Sequence, residues 1–554
     1  MVETLTGVVR ERGASIGGEL AIRFKEGEAF VGWTWAELWE HARRAAMGLL
    51  AAGVRPGDHL MLLLPEPRAA VAAHFGVWAM GGVPTHVGLP YRLHDVGAFV
   101  AQLRLTGRHL DARTLVISRS LAALGGLAPG GDAGDTRTLV VEDWLEHPEP
   151  GEPPEAPGAG PALIQLTSGS TGEPRGVVIP VDRLRLHLES IGRALPATPR
   201  SVGVTWLPLH HDMGLVGGLL YPLLNRFVVN VLSPLEFQAR PFAWLETMSR
   251  FRATHTAAPP SAFAVCIGLA RRAAEAHLDL SSLTCAMVGA EVVSPRLLRR
   301  FAEAFAPTGF RPEAFFPVYG LAEATVAVTF PEPMSATRVD RIDRRALERE
   351  GVAVPALDGA PDPSVVEVTG VGAPIRGTSI RLVDARDAEV PERTVGEILV
   401  RSESLMEGYH ADAEATHRAV VDGWLRTGDL GYVAGGALFI TGRKKEVIIK
   451  GGHNLSPVML EDIASAVPGV RAGCVAAVGV RSADRETELV YVVAETRLDA
   501  KDHPALRERV REALKAHSIA VDHVRLVPPG TLPKTTSGKI RRAIVAASIA
   551  AEAT

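Results

Sequence analysis

The strongest constraint on this chain is its alternation of amphipathic helix and apolar strand. Residues 34–58, TWAELWEHARRAAMGLLAAGVRPGD, set Trp35, Leu38, Ala42, Ala45, Ala46, Leu49 and Leu50 on one helical face, and Gly53 with Pro56-Gly57 supplies the stop. HLMLLLP then reads as a buried strand, and RAAVAAHFGVWAMGGVPTHV as a helix running into another strand. Such an order needs crossover connections, and so predicts parallel sheets covered by helices. The alternation resumes with strand, helix and strand over 202–231, a strand over 254–258, and LTCAMVGAE ahead of a helix from Ser294. Beyond Val368 the segments become short and β-like: TSIRLVDARDAEV, VGEILVRS and GALFITGR. After Arg443 come a strand VIIKGG, a helix near 459–467, strands CVAAVGV and ELVYVVAE, a helix near 503–516 and a strand HVRLVPPG. That set predicts a small α+β domain. The predicted class is α/β, with a large domain over 1–442 and a small one over 443–554.

At 554 residues the chain is too long for one ordinary core. Its net charge of −4, from 59 basic and 63 acidic residues, argues against a nucleic-acid partner, which requires a concentrated basic face. Cys266, Cys285 and Cys474 are far apart and odd in number. They suit no disulfide framework or zinc spacing, and point to a reducing cytoplasm. No apolar run reaches the roughly 18–20 residues of a membrane span.

Residues 163–180, LIQLTSGSTGEPRGVVIP, interrupt two apolar runs with small hydroxylated residues and glycines. A Walker loop requires G-x-x-x-x-G-K-[ST] before a helix, and a dinucleotide fingerprint G-x-G-x-x-G before a helix. Neither spacing is present, and GVVIP continues as strand. The segment reads as a hairpin whose Thr167, Ser168, Ser170 and Thr171 hydroxyls, with backbone N–H groups opened by Gly169 and Gly172, suit a polyphosphate nest. A solvated Ser/Gly hairpin tip fits it equally well. WLPLHHDMGLVGG packs His210, His211 and an aspartate among apolar residues. VYGLAEATVAV sets Glu323 on a strand-like apolar run, as a magnesium ligand or a helix-terminal acid. GWLRTGDLGYV reads as a tight turn with Asp429 in an Asx role. LPKTTSGKIRR is a basic, Gly-containing loop.

Taken together, LTSGSTGEPRGV, YGLAEAT, WLRTGDLG, ITGRKKEVIIKGGHN and LPKTTSGKIRR resemble, in order and spacing, the motifs of the ANL superfamily of adenylate-forming enzymes. Within it, WLPLHHDMGLVGGLLYPLL and the stretch ending FFPVYGLAEAT are most similar to the fatty acyl-AMP ligases. The segment 335–372 stands where those relatives carry an insertion.

The resemblance implies a β-barrel-like subdomain within the large domain and a mobile small one. It also implies a two-step ligation: a carboxylate attacks the α-phosphate of ATP, then a thiol displaces AMP. Thr167, Ser168, Gly169, Ser170, Thr171 and Gly172 would hold the polyphosphate, with Thr171 near the α-phosphate. Glu323 would bind Mg2+. Tyr319, followed by Gly320, would stack on adenine near Gly289, Ala290 and Glu291. Asp429 would accept the ribose hydroxyls, Arg443 would position the ribose and α-phosphate, and Lys539 would bridge carboxylate and α-phosphate. His211 would flank the acyl carboxylate, next to an apolar pocket at Gly214, Gly217 and Gly218. Lys445 would be the hinge.

The substrate implied is a hydrophobic carboxylic acid. The acceptor implied is the phosphopantetheine thiol of an acyl carrier protein, with CoA as the alternative. Two letters depart from the pattern. Arg175 replaces the usual lysine of the phosphate loop, and KGGHN is closer to CoA-ligase text.

Overall fold

The computed structural model describes residues 4–90, 96–123, 127–128, 136–167, 175–195, 197–450, 453–481, 487–517, 519–535 and 539–553. The helix read from the first motif forms over Trp35–Ala51. Thr34 caps it by accepting from the Glu37 N–H, and the Glu37 carboxylate returns the bond to the Thr34 N–H, a reciprocal capping box. Its buried face carries Trp35, Leu38, Ala42, Ala45, Ala46 and Leu49 against the helix Pro67–Ala79.

Two parallel sheets carry the large part of the chain. A seven-stranded sheet runs Phe315–Pro317, Cys285–Val288, His255–Ala258, Val202–Thr205, Val228–Val231, Leu20–Glu26, Ala29–Thr34. All its neighbours are parallel except the last, which closes the edge as a hairpin. A four-stranded sheet, Val83–His86, His59–Leu63, Thr114–Ile117, Arg137–Val140, is parallel throughout. Most of these strands are short and buried along nearly their whole length, as parallel pairing requires.

Antiparallel sheets occupy the rest. Pro161–Thr167 pairs with Arg175–Pro180, which pairs in turn with Gly408–Tyr409. Thr378–Val383, Gly396–Ser402 and Trp424–Ala434 form one sheet with Val420–Val421 and Ala437–Arg443. These are the β segments expected after Val368.

The C-terminal elements have their own core, with Ile448, Leu460, Val492, Leu506, Val510 and Leu514 at its centre. A three-stranded sheet, Val470–Arg481, Glu488–Thr496, His523–Val527, is backed by helices Pro457–Ser465 and His503–Ala516. They meet the rest of the chain through Ser294, whose hydroxyl donates to Asp462 Oδ2 at 2.7 Å. The segment 335–372 contributes a hairpin, Val339–Asp343 with Val365–Thr369, and a helix, Arg344–Glu350. From that helix Arg344 reaches Met459 Sδ at 2.7 Å and Arg349 reaches His453 Nε2 at 3.2 Å. Among the described residues no helix is long and apolar enough to cross a membrane.

Candidate functional site

Asp429 is not in a turn. It lies in the eleven-residue strand Trp424–Ala434, directly opposite Arg443 on the next strand. The sequence reads as a turn because of Gly428, which takes φ +69° inside the strand. The cross-strand register delivers an ion pair, Arg443 Nε donating to Asp429 Oδ1 at 2.7 Å. The other carboxylate oxygen accepts from the Tyr319 hydroxyl at 2.8 Å. The two carboxylate oxygens are thus each held by one donor, and the Asp429 backbone is fixed separately, its N–H donating to Thr427 Oγ1 at 3.0 Å.

Tyr319 is held by a second departure from expectation. The run 318–328 is not a strand but a folded loop around a single 3-10 turn, Ala322–Ala324. A Cβ at Gly320 would lie 1.6 Å from the Val326 carbonyl oxygen, so only glycine lets the loop close on itself. The turn leaves Glu323 half-buried, and its Oε1 accepts from the Tyr409 hydroxyl at 2.9 Å. Burial raises the Glu323 pKa above its ordinary value, with Asp212 pushing the same way against Tyr409 and Arg443. Nearby, a Cβ on Gly289 would meet Val318 Cγ2 at 2.7 Å, and Ala290 takes φ +69°. Glu291, Tyr319, Gly320, Asp429 and Arg443 line one continuous cleft of about 1950 Å³.

His211 and Asp212 enter that cleft from the segment after Val202–Thr205. His211 Nδ1 lies 2.7 Å from Asp212 Oδ1, which also accepts the Met213 N–H at 2.7 Å. Burial opposes the Asp212 charge, but His211, Lys539 and the Met213 N–H prevail and hold its pKa low. The helix that follows, Met213–Leu220, is a π-helix. Its glycines differ in role. Gly217 lines the cleft with nothing within 4 Å of its would-be Cβ. On Gly214 a Cβ would strike the Pro208 carbonyl at 2.3 Å, and on Gly218 the Thr205 hydroxyl at 2.8 Å, so these two serve packing. Gln165 Nε2 donates to the His210 carbonyl at 2.6 Å, tying this segment to the hairpin.

The two flanking strands expected there, Pro161–Thr167 and Arg175–Pro180, pair antiparallel, with Thr167 opposite Arg175. Ser168, Gly169, Ser170, Thr171 and Gly172 lie outside the described residues. The Arg175 guanidinium sits over the Tyr409 ring, 5.2 Å from its centroid.

Lys539 joins the cleft from the C-terminal part. Its N–H donates to Thr535 Oγ1 at 3.0 Å, and its carbonyl accepts the Thr535 N–H at 2.7 Å. Burial lowers its pKa, and Asp212, Glu291 and Asp429 counter that as the surrounding carboxylates. Lys445 also lines the cleft. Beside it the Lys444 N–H donates to the Gly428 carbonyl at 2.9 Å, and Lys444 Nζ pairs with Glu397 at 2.9 Å. The sequence reading missed Tyr409, Gln165 and the part played by Asp212.

Among the described residues no three His, Cys, Asp or Glu side chains gather to hold a metal ion. A lone carboxylate such as Glu323 fits magnesium, which keeps waters and leans on substrate phosphates.

A family profile described as AMP-binding enzyme matches residues 17–410. The chain is 32% identical to the long-chain-fatty-acid–AMP ligase FadD26 of Mycobacterium marinum, over 92% of this chain and 90% of that protein. It is 33% identical to the medium-chain-fatty-acid–[acyl-carrier-protein] ligase JamA of Moorena producens, over 92% of this chain and 88% of that one. A solved structure from a study of fatty acyl-adenylate ligases of E. coli and L. pneumophila superposes with a TM-score of 0.90 at 29% identity, covering 100% of this chain and 98% of that one. The chain belongs to the AMP-binding enzymes, the adenylate-forming ANL superfamily.

Proposed function

We propose that this chain activates a hydrophobic carboxylic acid with ATP and passes the acyl group to the phosphopantetheine thiol of an acyl carrier protein. The observation that carries the reading is the convergence of Lys539 with Asp429, Arg443, Tyr319 and His211 on one cleft. Two anions must meet in the first step, so the site must supply fixed positive charge and donors where the phosphorane charge develops.

A substrate carboxylate oxygen attacks the α-phosphorus, and the bond to the β-phosphate oxygen breaks, giving acyl-AMP and pyrophosphate. Lys539 bridges the two anions, and its lowered pKa rises again as they bind. Asp429, already oriented by Tyr319 and Arg443, accepts the ribose hydroxyls. The segment from Thr167 to Gly172 holds the departing pyrophosphate, and His211 flanks the carboxylate. Glu323 would hold magnesium, which would supply charge neutralisation for the phosphates. In the second step the thiol sulfur attacks the acyl carbon and AMP leaves with its oxygen.

Residues 443–554 act as a unit that turns about Lys445 between the steps. The site works in the cytoplasm, in keeping with Cys266, Cys285 and Cys474 being free and buried. CoA as acceptor is the second reading, favoured by the KGGHN text at 450–454.

Lys539→Ala is expected to cut ATP–pyrophosphate exchange by about 10²–10³-fold, the scale of a lost transition-state contact. Thioester formation from supplied acyl-AMP is expected to survive. Equal loss of both half-reactions would overturn the role of Lys539. Mass spectrometry of parallel reactions with CoA and with a holo-carrier protein decides the acceptor.

A further inference from the structure

The replacement of lysine by arginine at 175 has a structural counterpart in the cleft. Three side chains from three separate elements meet there: Arg175 at the start of strand Arg175–Pro180, Tyr409 on Gly408–Tyr409, and Glu323 on the turn Ala322–Ala324. Pairing of the two strands, Tyr409 against Val177, sets the Tyr409 ring beside the hairpin end. The guanidinium lies over one face of the ring at 5.2 Å, within cation–π range. At the far end of the same ring the hydroxyl donates to Glu323 Oε1 at 2.9 Å. The Glu323 carbonyl is pinned as well, accepting the Met406 N–H at 2.8 Å. All three side chains line the cleft.

We propose that Tyr409 is a positioning residue for the adenylation step. It fixes one oxygen of Glu323 so that the other faces the metal-bearing phosphates, and Arg175 clamps the ring that does so. This rests on the reading of Glu323 as the magnesium carboxylate. Groups that orient a metal-binding carboxylate commonly account for 10–100-fold in metal affinity. A planar guanidinium stacks on a ring face where an ammonium acts only as a point charge, so arginine here serves the tyrosine as well as the phosphates. The phosphate hairpin and the metal carboxylate are thereby joined through one aromatic side chain.

Tyr409→Phe keeps the ring and its stack and removes only the hydroxyl. We expect it to raise the Mg2+ concentration for half-maximal pyrophosphate exchange about 10-fold, with KM for the acid unchanged. In a titration of Mn2+ followed by electron paramagnetic resonance, with a non-hydrolysable ATP analogue present, binding is expected to weaken about 10-fold. Arg175→Lys should move Mn2+ binding the same way by a smaller factor, and combining the two changes should give less than their product. Wild-type Mn2+ binding in Tyr409→Phe, with weakened binding in Glu323→Gln, overturns the proposal and leaves Glu323 as the ligand. Wild-type Mn2+ binding in Glu323→Gln overturns the magnesium reading itself. A lower melting temperature in Tyr409→Phe with unmoved Mn2+ binding would make the hydroxyl merely structural, and likewise overturns the proposal.

Discussion

Lys539 carries its charge against a burial penalty, with Asp212, Glu291 and Asp429 working to retain it. Because burial dominates, its pKa in the ligand-free enzyme lies below the ordinary 10.5. In the proposed role the protonated form is the one that would bridge two anions, so kcat/KM for adenylation should fall as pH rises through that lowered value. Arginine does not titrate in this range. Lys539→Arg is therefore expected to lose this alkaline limb while turning over more slowly. Identical alkaline limbs in the two enzymes, measured by pyrophosphate exchange, would contradict it.

Lys539, Asp429, Arg443 and Glu323 stand out in the sequence only through the motif resemblance, and the structure brings all four to one cleft. Tyr409 was not legible. Its partner Glu323 is 86 residues away, and two distant strands must pair before the hydroxyl and carboxylate meet. Asp429 was assigned to a turn because a glycine before an aspartate signals a turn locally, whereas a bulge absorbs it here.

Among the elements, the π-helix Met213–Leu220 is the one that periodicity could not distinguish. A run of eight small and apolar residues reads as ordinary helix, whereas Met213–Leu220 winds as a π-helix in which Gly214 and Gly218 pack closely on Pro208 and Thr205. The winding leaves Gly217 facing open space. Gly217→Leu is expected to add side chain to the cleft without disturbing the core. It should raise KM for the longest accepted acids about 10-fold and spare short ones, on the scale of a few methylenes in an apolar pocket. A chain-length screen of pyrophosphate release checks this, and an unaltered profile would contradict it. By contrast the helices Trp35–Ala51 and His503–Ala516 follow the sequence reading closely, since strong amphipathic periodicity with clear stops leaves little to tertiary context.

Across the whole molecule, buried imidazoles set the acid limit. Burial lowers His86, His187 and His210 to about 3, and holds His74 well below its ordinary value. Their unfolded values stay near 6.5. Between those limits the unfolded chain binds more protons than the folded one. Stability from these groups is therefore complete above about pH 6.5 and falls as pH drops toward 3, by about 1.4 kcal/mol per pH unit for each histidine. The melting temperature is expected to decline steeply from pH 6.5 downward. Replacing His74, which meets His86 at 3.1 Å, with phenylalanine should flatten the decline. A melting temperature constant between pH 7 and about 5 would contradict this account.

The topology of the large sheet also bears on how the chain is made. Leu20–Glu26 is synthesised early, yet one of its edges is completed only by Val228–Val231, about two hundred residues later. Meanwhile the four strands over 59–140 can pair among themselves. Until its distant partner emerges, Leu20–Glu26 has only the hairpin to Ala29–Thr34 and presents an open backbone edge. Long-range parallel pairing closes slowly, and such edges invite association between nascent chains. Slowing the pairing of that one strand is expected to lower the folded yield, measured by expression of the full chain, although the strand lies far from the cleft.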